Sequence, residues 1–168
     1  MAILKSYSTE LYVAFHDLDS CGDIIYSYQL LINGENIINT EILKPIYRDG
    51  VFLTTECDFE QSGVIDFFKN VILSKEGCHY YESLEPPLIA LRSNIIKSKF
   101  GTNQESEKII LFVEIGEDYF DSEDIEKGVT FCLETDTERL EYFLKELVQE
   151  FELFKRNNKN KHLILSEE

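Results

Sequence analysis

The sequence predicts an α+β domain: an antiparallel sheet of about seven or eight strands, one inserted helix, and a long C-terminal helix packed on the sheet. Three observations carry this. Short β-branched and aromatic runs separated by turn residues fill residues 1–57 and 78–134. Helical three-and-four spacing of apolar residues occurs only over 59–74 and 136–156. The chain has 168 residues, 43% of them hydrophobic with 12 Phe and 9 Tyr, which suits one domain; a chain this size buries roughly 70% of its unfolded surface.

The elements follow in order. Leu11, Val13 and Phe15 alternate with Tyr12, Ala14 and His16, a strand with one apolar face. Ser20-Cys21-Gly22-Asp23 makes a turn into the run Ile24–Ile32. Asn33-Gly34, a strong hairpin signal, sends the chain back through Ile37–Leu43. Pro45 and Asp49-Gly50 bracket a connection, and Val51–Cys57 resumes strand character. Asp58 with Gln61 three residues on resembles a capping box, and Val64, Phe67, Phe68, Val71 and Ile72 follow at helical spacing. This predicts a helix over 59–74, weakened in its first turn by Ser62-Gly63 and ended by Gly77.

Strands resume at Cys78–Leu84 and break at Pro86-Pro87. They continue through Leu88–Ile96, Ile109–Ile115 and Val129–Leu133, with a polar loop at 101–104. Thr135-x-x-Glu138 reads as a capping box, with Asp136 adding charge at the helix N-terminus. Leu140, Phe143, Leu144, Leu147, Val148, Phe151 and Phe154 then hold one helix face. Glu141, Lys145, Glu146, Gln149, Glu150 and Glu152 hold the other.

Charge is the compositional outlier. Sixteen Lys and Arg face 32 Asp and Glu, a net of -16. Such a surface repels phosphate backbones and anionic lipid, so no direct nucleic-acid or membrane contact is expected, and a basic protein is its complement. Residues 101–150 hold four bases against 15 acids, so most of the excess lies in one third of the chain. No apolar run approaches the roughly 18 residues of a membrane span. Met1–Tyr7 lacks the basic start and apolar core of a secretory signal, which points to a cytoplasmic protein. Cys21, Cys57, Cys78 and Cys132 are widely spaced, and are expected to be reduced and mostly buried.

No stretch carries a catalytic signature. Asp17-Leu18-Asp19-Ser20-Cys21-Gly22 imitates a calcium loop, but Cys21 stands at a ligand position and Tyr28 where the bidentate Glu belongs, so it reads as an acidic turn. Cys78 and His79 are adjacent on a strand and point to opposite faces, which denies them a nucleophile–base contact. There is no metal-ligand spacing, glycine-rich phosphate loop or nucleophile elbow. The expectation is a non-enzyme with no catalytic residue, metal or cofactor.

What stands out is the segment from Glu114 to Glu126, seven acids without a base. It is a solvated loop or a binding patch. As a patch, its candidate residues are Glu114, Glu117, Asp118, Tyr119, Phe120, Asp121, Glu123 and Asp124. Tyr119 and Phe120 would be exposed hot spots ringed by steering charges, or else anchors tucked into the core.

From Val51 onward a strand leads into a helix with an apolar face, then an aromatic strand ends in a Glu-Pro step within Tyr80-Tyr81-Glu82-Ser83-Leu84-Glu85-Pro86-Pro87-Leu88. Two strands then flank the acidic loop, and Thr135-Asp136-Thr137-Glu138-Arg139-Leu140-Glu141-Tyr142-Phe143 opens the last helix. Over roughly residues 51–154 this order resembles the WapI-type immunity proteins, cytosolic antidotes to secreted polymorphic or contact-dependent toxins. The resemblance implies a protein that neutralises the basic, nuclease-type C-terminal domain of a cognate toxin by stoichiometric binding. The family has no fixed catalytic residues to carry over. Two other readings stand beside it: an acidic regulatory or structural interaction module without a toxin partner, and an enzyme whose site leaves no motif. Monomer and dimer are both open.

Overall fold

The strands divide between two antiparallel sheets, which together hold nine strands among the described residues. The structure, a computed structural model, describes residues 1–36, 38, 40–74, 76–83, 89–121 except 101–103, and 128–165. At 40, 97–100, 104–106 and 159–165 it describes the backbone alone. The first sheet contains β1 (Ala2–Ser6), β2 (Thr9–Leu18), β3 (Ile24–Ile32), β4 (Glu35–Asn36) and β5 (Val51–Glu56). The second has the order β6 (Gly77–Glu82), β7 (Ile89–Phe100), β8 (Gln104–Ile115) and β9 (Val129–Thr135). Helix α1 (Val64–Leu73) joins the sheets, and α2 (Thr137–Leu165) ends the chain. The fold class is α+β, as the sequence predicts.

Strands β7 and β8 and helix α2 run longer than expected, to Phe100, from Gln104 and to Leu165. Three other boundaries differ, each for a local reason. The return from the Asn33-Gly34 turn is only the two residues of β4, not Ile37–Leu43, because β5 occupies the same edge of β3 from Ile24 to Gln29. Residues 40–42 instead form a 3-10 turn. Helix α1 starts at Val64 rather than 59. Asp58 Oδ1 accepts from the amides of Glu60 and Gln61, at 3.0 and 2.7 Å, so it caps a turn and not the helix. Ser62 then takes φ 63°, and at Gly63 a Cβ would meet the Asp58 carbonyl oxygen at 2.2 Å. Only glycine fits this reversal. At the second helix the cap is Asp136, whose Oδ1 accepts from Arg139 N at 2.9 Å. Thr135 is the last residue of β9. The Pro86-Pro87 interruption and most of the 101–104 loop lie outside the described residues.

One hydrophobic cluster draws on both sheets and both helices. Leu140, Phe143, Leu147, Phe151 and Phe154 of α2 are buried in it, the face that the spacing assigns. Phe15 of β2 meets Phe59 at 4.8 Å and Phe151 at 5.2 Å between ring centres, and Phe68 of α1 meets Phe143 edge-on at 5.1 Å. Aromatic side chains thus hold α2 against β2 of the first sheet, and α1 against α2 and against Tyr81 of β6. All four cysteines are free and exposed, contrary to the expected burial. Cys78 and Cys132 fall on the outward-facing parity of β6 and β9, Cys21 in a turn, and Cys57 just beyond β5.

Glu56, at the end of β5, is a buried carboxylate, 4% exposed, and Tyr81 Oη donates to it. Burial pushes its carboxyl above the usual range, against the opposing effect of the Tyr81 hydroxyl. The folded chain therefore keeps this proton at pH values where the unfolded chain has lost it. Its contribution to stability is full below the unfolded carboxyl value, about 4.3, and is lost as pH rises through the raised folded value. Glu56→Gln keeps an acceptor for Tyr81 and cannot ionise. The variant-minus-wild-type difference in Tm is expected to grow more positive across that window and then level off. A difference independent of pH would mean that Glu56 ionises without cost.

Candidate functional site

The acidic segment is built from its anchors outward. After β8 the chain makes a 3-10 turn over Glu117–Tyr119, closed by Phe120 N donating to Glu117 O at 2.9 Å. It then lies against the connection before β5. Phe120 forms an isolated antiparallel bridge with Leu43, Lys44 N donates to Tyr119 O at 2.9 Å, and Asp121 N donates to Ile42 O at 2.8 Å. Tyr119 is fully buried, its ring edge-on to Tyr47 and Phe52 at 4.7 and 5.1 Å, and its hydroxyl donates to the Leu53 carbonyl of β5. Burial, with Tyr47 and Asp118 nearby, raises the hydroxyl's pKa, so it remains a donor.

This corrects one of the two readings of the aromatics. Tyr119 and Phe120, 0% and 4% exposed, are anchors in the core and not surface hot spots. Each has a place to go: the Leu53 carbonyl of β5 for the tyrosine hydroxyl and a backbone bridge to Leu43 for Phe120. The exposed groups are the carboxylates of Glu117, Asp118 and Asp121. Glu114 stands on the outward face of β8, half-buried, and is bound to Arg92 at 3.2 Å. Glu123 and Asp124 lie outside the described residues. The return to β9 is tight: a Cβ at Gly128 would meet the Ile115 carbonyl oxygen at 2.0 Å, and φ there is 74°.

Glu114 belongs to a second feature that the sequence reading missed. Pairing of β6, β7 and β8 aligns Tyr80, Arg92 and Phe112 in one row on the outward face of the second sheet. Arg92 lies 4.7 Å over the Phe112 ring, and Tyr80 is 58% exposed. The only signal for this row was strand parity, which cannot align residues before the register is known.

The chemistry available elsewhere is limited. Cys78 is exposed and His79 half-buried on the opposite face. At the bulge in β2, His16 Nε2 lies 2.7 Å from Ser27 Oγ, but Ser27 is 4% exposed, so the hydroxyl is closed to a substrate. Among the described residues no group of three His, Cys, Asp or Glu side chains could hold a metal ion, and no helix is long and apolar enough to cross a membrane. No family model matches the chain, and no curated protein or solved structure matches it significantly.

Proposed function

We propose that this chain is a cytoplasmic binding protein of the immunity type, which neutralises a basic toxin domain by forming a one-to-one complex. The observation that carries the reading is the turn Glu117–Asp121: two buried aromatics hold three exposed carboxylates in a fixed arrangement. A presentation set by the core costs little ordering entropy when a partner binds. The net charge of -16 adds long-range attraction for a basic cleft and repulsion for nucleic acid and anionic lipid. The row Tyr80, Arg92 and Phe112 supplies the side-chain types that dominate interface energies, on the sheet face that also carries Glu114.

The test is direct. The purified chain is mixed with the C-terminal domain of a toxin encoded next to its own gene, at low and at high salt. A one-to-one complex that weakens with salt and abolishes toxicity is the expected outcome. No adjacent toxin gene, or no complex, would remove the immunity reading and leave an acidic interaction module.

A further inference from the structure

We infer that the groove between the β1–β2 hairpin and the first turns of α2 receives an arginine side chain from a basic protein segment, stacked on the rings of Tyr7 and Tyr142. For the biological source of that segment this rests on the binding reading above. For its chemistry it rests on the groove alone.

The first observation is backbone strain. Strands β1 and β2 are joined by Tyr7-Ser8, between the paired residues Ser6 and Thr9. Tyr7 has φ 36°, a region that hairpin turns reserve for glycine, asparagine or aspartate and that a bulky residue rarely adopts. The core gives nothing in return, because the Tyr7 side chain is 83% exposed. What the ring does meet is Arg139 at the surface, which leaves most of the residue open to a partner.

The second observation lies opposite. Tyr142, 63% exposed, stands on the otherwise charged side of α2 next to fully buried Phe143. Arg139, one turn earlier, lies 5.2 Å over the Tyr7 ring. These side chains line a groove of about 700 Å³ that Glu138 and Glu146 also border. Two exposed tyrosines and an arginine are the composition of an interface centre, here formed before any partner arrives.

Charge selects the occupant. The groove's own cations are already held, Lys5 by Glu10 at 3.3 Å and Arg139 by Asp136 at 3.4 Å. The carboxylates of Glu138 and Glu146 remain in excess, the latter accepting a hydrogen bond from Tyr142. A guanidinium suits both features, since its plane stacks on aromatic faces and its edge donates to carboxylates. A second copy of the chain would bring another -16 charges, so self-docking is opposed.

The test titrates the isolated protein with acetylated tetra-arginine amide at physiological salt, following the tyrosine ring signals by NMR. Saturable shifts at Tyr7 and Tyr142 are expected, with tetra-lysine weaker because an ammonium cannot stack as a plane. Tyr7→Gly is expected to weaken arginine-peptide binding about two- to fivefold without lowering Tm, because glycine accepts φ 36°. A structural role for the ring would lower Tm instead. Tyr142→Ala gives a second variant at an exposed position if the hairpin change perturbs folding. Shifts spread over the acidic surface, equal binding of tetra-lysine, or full affinity in both variants would overturn the assignment. A toxin domain that fails to bind leaves this titration unchanged, so the two failures are distinguishable.

Discussion

Phe143→Ala is expected to lower the unfolding free energy by about 3–5 kcal/mol and Tm by roughly 10 °C. Phe143 is fully buried, and its ring meets Phe68 edge-on at 5.1 Å, so it is a direct link between α2 and α1. Truncation removes the transfer energy of the ring and leaves a cavity that two helices and a sheet cannot collapse to fill. Domains are stable by only about 5–15 kcal/mol, so one ring is a large share. Tyr142→Ala, the neighbouring exposed position, should change stability by no more than about 0.5 kcal/mol. Chemical denaturation of the two variants side by side makes the comparison. Similar midpoints would mean that the apolar stripe of α2 does not carry the core.

Neutralising the turn with Glu117→Gln, Asp118→Asn and Asp121→Asn should slow association with a basic toxin domain about tenfold or more at low ionic strength. The gap to wild type should narrow as salt rises, since exposed charges are screened within about 8–10 Å at physiological concentrations. Tm should hold, because the groups that fix the turn are Tyr119, Phe120 and backbone amides, none of which changes. Stopped-flow mixing over a salt series reads both effects. Unchanged association in a variant that still forms the complex would move the contact away from this turn.

What was legible in the sequence followed from periodicity. The alternation of Leu11, Val13 and Phe15 and the stripe from Leu140 to Phe154 report one-sided burial, which both sheet and helix require. The chain's division into two sheets was not legible, because period two gives a strand's face and not its neighbour. Asp58 misled for a related reason: an Asp side chain that accepts two following amides looks the same whether a helix or a turn follows. The acidic turn was found through charge, but the position of its aromatics depends on Leu43 and Leu53, far away in sequence. Tyr7 gave no signal, since Tyr-Ser carries none of the usual marks of a two-residue turn.

The turn from Glu117 to Asp121 divides its labour residue by residue, with Tyr119 and Phe120 inward and the three carboxylates outward. Substitutions at 117, 118 and 121 therefore meet water and whatever binds, while the two positions that hold the backbone are shielded from that pressure. A lineage could exchange one partner for another by single steps at these three sites, each intermediate still folded. The same division leaves the anchors little room to vary, so drift in this segment should fall almost wholly on its acids.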